Sequence, residues 1–207
     1  DTTDGLASNK IIGAGLTPEG LWFLHPLQGM SLFTGQKWKT FTKESHGSVM
    51  SASHPFDTFH ITSDFTVWAG TKGSGPIFRK PGTKFRRFAK MTGAATRGII
   101  YSITTDQQGN HWFGTRYGLY RYSKGKLKRF TTRTGLPNNK VLAVAAEGNK
   151  IWIGAPKGAA CFDGTSWRTF KQDMGLASSH VTTITVTPWG EKWFGTKYDG
   201  VTVYRGR

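Results

Sequence analysis

The sequence predicts an all-β protein, a β-propeller of five four-stranded blades of about 41 residues each with the last blade incomplete, and three observations predict it. Five tryptophans, Trp22, Trp68, Trp112, Trp152 and Trp193, follow one another at steps of 46, 44, 40 and 41 residues. The chain around them repeats: Gly109-Asn110-His111-Trp112-Phe113-Gly114-Thr115 is answered by Gly190-Glu191-Lys192-Trp193-Phe194-Gly195-Thr196. The intervals hold short runs rich in β-branched and aromatic residues, bounded by Gly, Pro, Asn or Asp, and no stretch keeps a helical period over three turns. One such sheet cannot bury both of its faces alone, so the unit recurs and its neighbours stack on it.

The fourth repeat shows the elements in order. Strand A is the apolar run Val141-Leu142-Ala143-Val144-Ala145-Ala146, and strand B is Lys150-Ile151-Trp152-Ile153-Gly154. Strand C is Gly158-Ala159-Ala160-Cys161-Phe162, ended by Asp163-Gly164, and strand D is Ser166-Trp167-Arg168-Thr169-Phe170. Equivalent D strands are Lys37-Trp38-Lys39-Thr40-Phe41, Lys84-Phe85-Arg86-Arg87-Phe88 and Lys126-Leu127-Lys128-Arg129-Phe130. The blades are therefore expected at residues 1–41, 42–88, 89–130, 131–170 and 171–207, as one domain. The fifth has no D strand after Val203-Tyr204. A closed five-bladed ring is the preferred reading, and part of a larger propeller is the alternative. The Gly-Thr pairs after the blade tryptophans let the chain turn and neighbouring sheets approach. The tryptophans read as packing between blades, each indole N–H seeking a carbonyl.

Gly135-Leu136-Pro137-Asn138-Asn139-Lys140-Val141, followed by Trp152-Ile153-Gly154, Phe162-Asp163-Gly164, Trp167 and Phe170, resembles the two-component regulator propeller repeat. Gly5-Leu6-Ala7-Ser8-Asn9-Lys10-Ile11 and Gly175-Leu176-Ala177-Ser178-Ser179-His180-Val181 open the first and fifth repeats in the same way. The resemblance implies an exported ligand-sensing or partner-binding module, often attached to a membrane histidine kinase. It implies little about the ligand, because one fold serves sensors, scaffolds and enzymes. A chain that starts at Asp1 without Met reads as processed, which fits a periplasmic or extracellular location reached by bacterial-type export. No run of 18 apolar residues is present to span a membrane. The single cysteine, Cys161, forms no intramolecular disulfide and reads as a small buried hydrophobe.

The charge is lopsided. The formal net charge is +16, yet residues 1–60 hold four Lys/Arg against five Asp/Glu. A field concentrated in the remainder points to an acidic protein subunit, or to an anionic surface or glycan, as partner. Specific nucleic-acid binding is not expected, since the aromatic residues occupy structural positions and low-salt binding by such a basic chain would mean little.

Three features could carry that partner. Lys72, Arg116, Lys157 and Lys197 follow the blade tryptophans in the B–C loops, while blade one has His25-Pro26 there. Gathered at a channel mouth they would hold an anion; pointing outward they would be solvated cations. The outer edge is the second feature. Lys84, Arg86, Arg87 and Lys90 in blade two and Lys124, Lys126, Lys128 and Arg129 in blade three are more numerous than protection of an exposed strand requires. The third is a stretched loop after Phe41 that contains His46, Met50 and His54. Imidazole and thioether suit a soft metal, but no motif supports one, so a loop contacting a partner is the plainer reading and neither a metal nor a cofactor is expected. Asp106 lacks the second carboxylate that a calcium loop would need.

The functional reading is thus a non-enzymatic, basic extracytoplasmic interaction or scaffold module, a subunit of a larger assembly. A periplasmic sensor for a small anionic ligand is the alternative. A propeller lyase ranks last: the repeat is distantly similar to lyases that open antibiotic lactones or cleave acidic sugars, but His46, His111 and His180 are the only plausible bases and no paired carboxylates assist them.

Overall fold

The structure is a computed structural model that describes residues 1–50, 55–91 and 98–206. It contains five antiparallel sheets, each built from consecutive strands, as the repeat requires. The chain divides into two compact units, Asp1–Ile100 and Tyr101–Arg207.

The first unit holds two blades. Blade one is β1 (Gly13–Thr17), β2 (Gly20–His25), β3 (Gly29–Phe33) and β4 (Trp38–Phe41). Blade two is β5 (Phe56–Ile61), β6 (Val67–Thr71), β7 (Ile77–Arg79) and β8, which is only Arg86–Arg87. The stretched loop between them opens with a single helical turn, α1 (Lys43–His46), and a 3-10 turn, Gly47–Met50. The core joins Trp22, Leu24, Met30 and Phe41 of blade one to Phe56, Val67, Ile77 and Phe85 of blade two. Arg79 reaches across to Glu19 in a two-pronged ion pair, its second nitrogen 3.0 Å from the carboxylate, and its guanidinium lies 5.1 Å from the centre of the Trp22 ring.

The second unit holds three blades. Blade three is β9 (Ile100–Thr105), β10 (His111–Thr115), β11 (Gly118–Ser123) and β12 (Lys126–Phe130). Blade four is β13 (Ala143–Glu147), β14 (Lys150–Ala155), β15 (Gly158–Phe162) and β16 (Trp167–Phe170). Blade five has three strands, β17 (Val181–Val186), β18 (Lys192–Thr196) and β19 (Val201–Tyr204). Trp112 packs on Phe130 and on Phe162 of the next blade, and Trp152 packs on Phe170 and on Phe194 and Tyr204 of the next.

The glycine two residues after the tryptophan is where the next blade arrives. A Cβ on Gly114 would sit 2.9 Å from Val144, and one on Gly154 would sit 2.7 Å from Val181.

Two expectations about the tryptophans need correction. The indole N–H groups of Trp22, Trp112, Trp152 and Trp193 donate to side chains rather than to carbonyls. Trp22 donates to the Thr17 hydroxyl at 3.1 Å, Trp112 to the Asp106 carboxylate at 2.8 Å and Trp152 to the Glu147 carboxylate at 2.7 Å. Each of these three acceptors lies at the A–B turn of the same blade, five or six residues before its tryptophan. Nor are all five buried: Trp193 is 44% exposed, against 3% or less for the other four. Glu147 also accepts from Lys192 of blade five at 2.9 Å. That lysine is 1% exposed and completes its hydrogen bonding on two carbonyls, Gly190 and Gly206, both at 2.8 Å. A buried charge needs this full set of acceptors to be tolerated.

Candidate functional site

One end of each blade is formed where the B–C turn meets the chain entering strand A. The Lys72 N–H donates to the Pro55 carbonyl at 2.8 Å, and the Lys197 N–H donates to the His180 carbonyl at 2.9 Å. Between blades three and four the Val141 N–H donates to the Thr115 carbonyl at 2.9 Å, which sets Lys140 beside the turn that carries Arg116. Lys72, Arg116, Lys157 and Lys197 are all exposed on these turns. They are not alike. Lys72 is neutralised by Asp57 at 3.1 Å. Blade one offers no cation, because His25 is fully buried between the Lys10 carbonyl and the Ser31 hydroxyl, and burial holds its pKa below the ordinary value.

In the second unit this end is richer than the sequence suggested. Three of its cations lie over tyrosine rings: Arg116 over Tyr117 at 5.9 Å, Lys140 over Tyr101 at 5.3 Å and Lys197 over Tyr198 at 4.9 Å. His180 stands edge-on to Tyr198, with ring centres 5.9 Å apart. Its pKa is lowered by partial burial and then by the positive charges of Lys197 and Lys140. Sequence reasoning missed Lys140 and the three tyrosines. The adjacent pairs Arg116-Tyr117 and Lys197-Tyr198 were the available signal.

The second candidate surface is the outer edge. In blade three, β12 is the outermost strand and pairs with β11 alone. Phe130 anchors it in the core, while Lys124, Lys126, Lys128 and Arg129 are exposed. Arg129 donates to the Tyr117 carbonyl through Nε at 2.8 Å, and Lys128 lies 5.0 Å from the centre of the Phe130 ring. Among the described residues none of these four cations forms an ion pair; the pairs involve the N-terminus, Lys72, Arg79, Lys192 and Arg205. In blade two, Lys84, Arg86, Arg87 and Lys90 are also exposed, with Phe85 buried beside Trp22 and Phe41.

The stretched loop provides less. Met50 is fully buried in the first unit's core, so it is a packing residue and not a surface ligand. His46 packs 5.0 Å from Phe41 and 6.4 Å from Phe85, with Nδ1 2.8 Å from the Ser45 hydroxyl, and burial followed by the charges of Lys84 and Arg79 lowers its pKa. His54 lies outside the described residues. Among the described residues no three His, Cys, Asp or Glu side chains gather as metal ligands.

The histidines weighed as bases sit in different settings. His111 begins β10 at the opposite end of its blade from Arg116, with Nδ1 3.0 Å from the Thr105 hydroxyl. His180 is influenced by two lysines and, among the described residues, pairs with no carboxylate that could orient it. Cys161 is buried, and that burial pushes its thiol up to about 11.

Five sheets of consecutive antiparallel strands, stacked through a recurring tryptophan and glycine, are what a propeller repeat builds. A family model for the two component regulator propeller matches residues 96–117, the start of blade three. That match covers one stretch of the chain, and the propeller fold is shared by the solved structures. Solved structures with this fold include the extracellular domain of the hybrid two component system BT3049 from B. thetaiotaomicron, with a TM-score of 0.79 and 20% identity over 97% of this chain and 28% of that one. The extracellular domain of the one component system BT4673 from the same organism gives a TM-score of 0.75 and 22% identity over 94% of this chain and 27% of that one. A streptogramin B lyase structure is similar at a TM-score of 0.69 and 15% identity, over 97% of this chain and 70% of that one. The chain thus spans under a third of the length of the two regulator domains. A comparison with curated proteins gave no significant match. Among the described residues no helix is long and apolar enough to cross a membrane.

Proposed function

We propose that this chain is a non-enzymatic, extracytoplasmic binding module that engages an acidic macromolecule, as part of a larger assembly. The observation that carries the reading is the edge of blade three: Lys126, Lys128 and Arg129 stand exposed along one strand, with Lys124 exposed in the turn before it, and among the described residues none of the four forms an ion pair. Like charges held side by side repel, and an acidic partner removes that cost while drawing the two together from a distance. The extracellular domains of similar fold and the propeller repeat support a binding or sensing role outside the cytoplasm. The test is purification from the native source at low ionic strength, with bound proteins identified by mass spectrometry. A stoichiometric acidic partner is expected; a chain that emerges alone contradicts the reading.

A second reading rests on a different observation, the lysines that act on His180 beside Tyr198. A small anion held by Arg116, Lys140, Lys157 and Lys197 would make this end of the second unit a sensor site. Titration with inorganic phosphate and sulfate, followed by the His180 NMR signals, tests it. Saturable shifts with a raised His180 pKa, lost in Lys140→Ala with Lys197→Ala, are expected; signals that follow ionic strength alone contradict it.

A further inference from the structure

Strand β12 is an outermost strand whose unpaired backbone groups and cations are set in register with one another. The hairpin of β11 and β12 turns on two residues, Lys124 and Gly125, with φ of +46° and +80°. Positive φ at both positions marks a type I′ turn, across which the flanking pair, Ser123 and Lys126, exchanges both backbone hydrogen bonds. Bonded and non-bonded pairs then alternate along the ladder, so Lys126, Lys128 and Phe130 turn their N–H and C=O groups toward β11. The Phe130 carbonyl fits this parity, since a Cβ on Gly118 of β11 would sit 2.5 Å from it. Leu127 and Arg129 turn theirs the other way. Among the described residues no strand lies on that side of β12, and no backbone group bonds them there.

The side chains follow the same parity. Lys126 and Lys128 share the face that Phe130 anchors, and Lys128 lies opposite Arg121, itself 5.5 Å from the centre of the Trp112 ring. Leu127 and Arg129 share the other face, with Arg129 5.8 Å from the centre of the Tyr120 ring. The other outermost D strands differ: β4 carries Lys39 alone, β16 carries Arg168 alone, and β8 is two residues long. Lys124 adds a cation at a left-handed turn position where Asn, Asp or Gly is the usual occupant. The backbone therefore accepts an unfavourable conformation to keep a charge at the turn. Cations along an edge oppose pairing with a second copy of the same strand, because lysine would face lysine. The same array favours a strand of opposite charge.

We propose that β12 takes an extended acidic segment of the partner protein as an added antiparallel strand. The inference rests on the reading of this edge as the binding surface, and it adds the local structure and sequence pattern of what binds. The residues of the segment opposite Leu127 and Arg129 exchange backbone hydrogen bonds with them, and these main-chain bonds supply affinity while the alternate side chains supply specificity. The residue opposite Lys128 forms the closer pair, with Cα atoms about 4.5 Å apart. In the segment's own direction, the residues opposite Arg129, Lys128, Leu127 and Lys126 are acidic, acidic, apolar and acidic. Glu-Glu-Val-Glu is such a pattern.

The test uses the full chain and the peptide acetyl-Thr-Glu-Glu-Val-Glu-Thr-amide, titrated by calorimetry at low ionic strength. Saturable binding is expected, with amide hydrogen exchange at Leu127 and Arg129 slowed while that of Lys128, already bonded to β11, is unchanged. Two N-methylated peptides of identical charge separate strand pairing from simple attraction. N-methylation of the valine removes the N–H that would donate to Leu127 and is expected to weaken binding about tenfold. N-methylation of the second glutamate, whose N–H faces away from β12, is expected to leave the affinity within about twofold. Equal binding of both N-methylated peptides, with no protection at Leu127 and Arg129, overturns the added strand while leaving an acidic partner in place. A peptide that fails to bind also overturns it. The broader reading falls separately, if the chain purifies from its native source without an acidic partner.

Discussion

At the scale of single residues, the fold depends on polar side chains that serve the tryptophans. Asp106 is the fullest case. It accepts from the Gln108 and Asn110 N–H groups, from the Asn110 amide and from the Trp112 indole, at 2.8 to 3.0 Å, while 8% exposed. Asp106→Ala leaves buried donors without acceptors, and at roughly 1–3 kcal/mol for each one left stranded the expected loss is about 3 kcal/mol. Urea unfolding followed by tryptophan fluorescence measures it; a loss below about 1 kcal/mol would show that the turn holds without the carboxylate. Glu19 supplies a pH signature in the first unit. Its hydrogen bond from Arg79 holds its pKa below the ordinary carboxylate value, against the opposing effect of burial. The folded pKa lies below the unfolded one, so the pair stabilises the fold at neutral pH and the benefit is lost as pH falls through the folded value. Glu19→Gln is expected to flatten the acid limb of the stability–pH profile and to destabilise at neutral pH. An unchanged acid limb would remove Glu19 from the account.

At the scale of elements, the blades close through glycine. Gly118 and Gly158 begin the C strands of blades three and four with φ of +135° and +131°, and each faces the carbonyl oxygen of the phenylalanine that ends strand D. A side chain there meets backbone and an unfavourable φ together. Gly158→Ala is expected to cost about 3 kcal/mol or more, against under about 1 kcal/mol for Gly164→Ala, where φ is also positive but nothing lies within 4 Å. Comparing the two midpoints in urea separates steric closure from conformational preference; equal losses would mean that the carbonyl is not the obstacle. These elements were largely legible in the sequence. Trp112, Gly114 and the apolar runs recur because each blade must meet the next in the same way, and a periodic constraint leaves a periodic text. Irregular parts were less legible. Strand D of blade two shrinks to Arg86–Arg87, and Met50 turns from a presumed surface loop into the core. The residues around them follow no repeat, and only contacts distant in sequence place them. For the same reason the carboxylates under Trp112 and Trp152 were missed: the repeat conserves the position of an acceptor but not its type, with Thr17, Asp106 and Glu147 in the same role.

At the scale of the whole molecule, charge and fold divide the labour. The sheets are held by apolar and polar contacts that make little use of the surplus cations: of the 28 lysines and arginines, only Lys72, Arg79, Lys192 and Arg205 form ion pairs among the described residues. The sequence revealed the charges of the candidate site but not which of them are spent. Lys72 proved to be neutralised by Asp57, and Lys192 to be a buried strut between blades four and five. Among the described residues the cations of β12 form no ion pair. A partner held by exposed charges at that edge should dissociate as salt screens them, since the screening length falls from about 10 Å at 0.1 M to about 3 Å at 1 M.

The central claim is therefore tested most directly by the salt dependence of the association between the chain and its natively bound partner. It is compared for the wild type and for the variant carrying Lys126→Glu, Lys128→Glu and Arg129→Glu, all at exposed positions. The account predicts that about 0.5 M salt releases the partner from the wild type, and that the variant fails to hold it even at low salt while keeping the wild-type melting temperature. Association that survives both the salt and the triple reversal would contradict it.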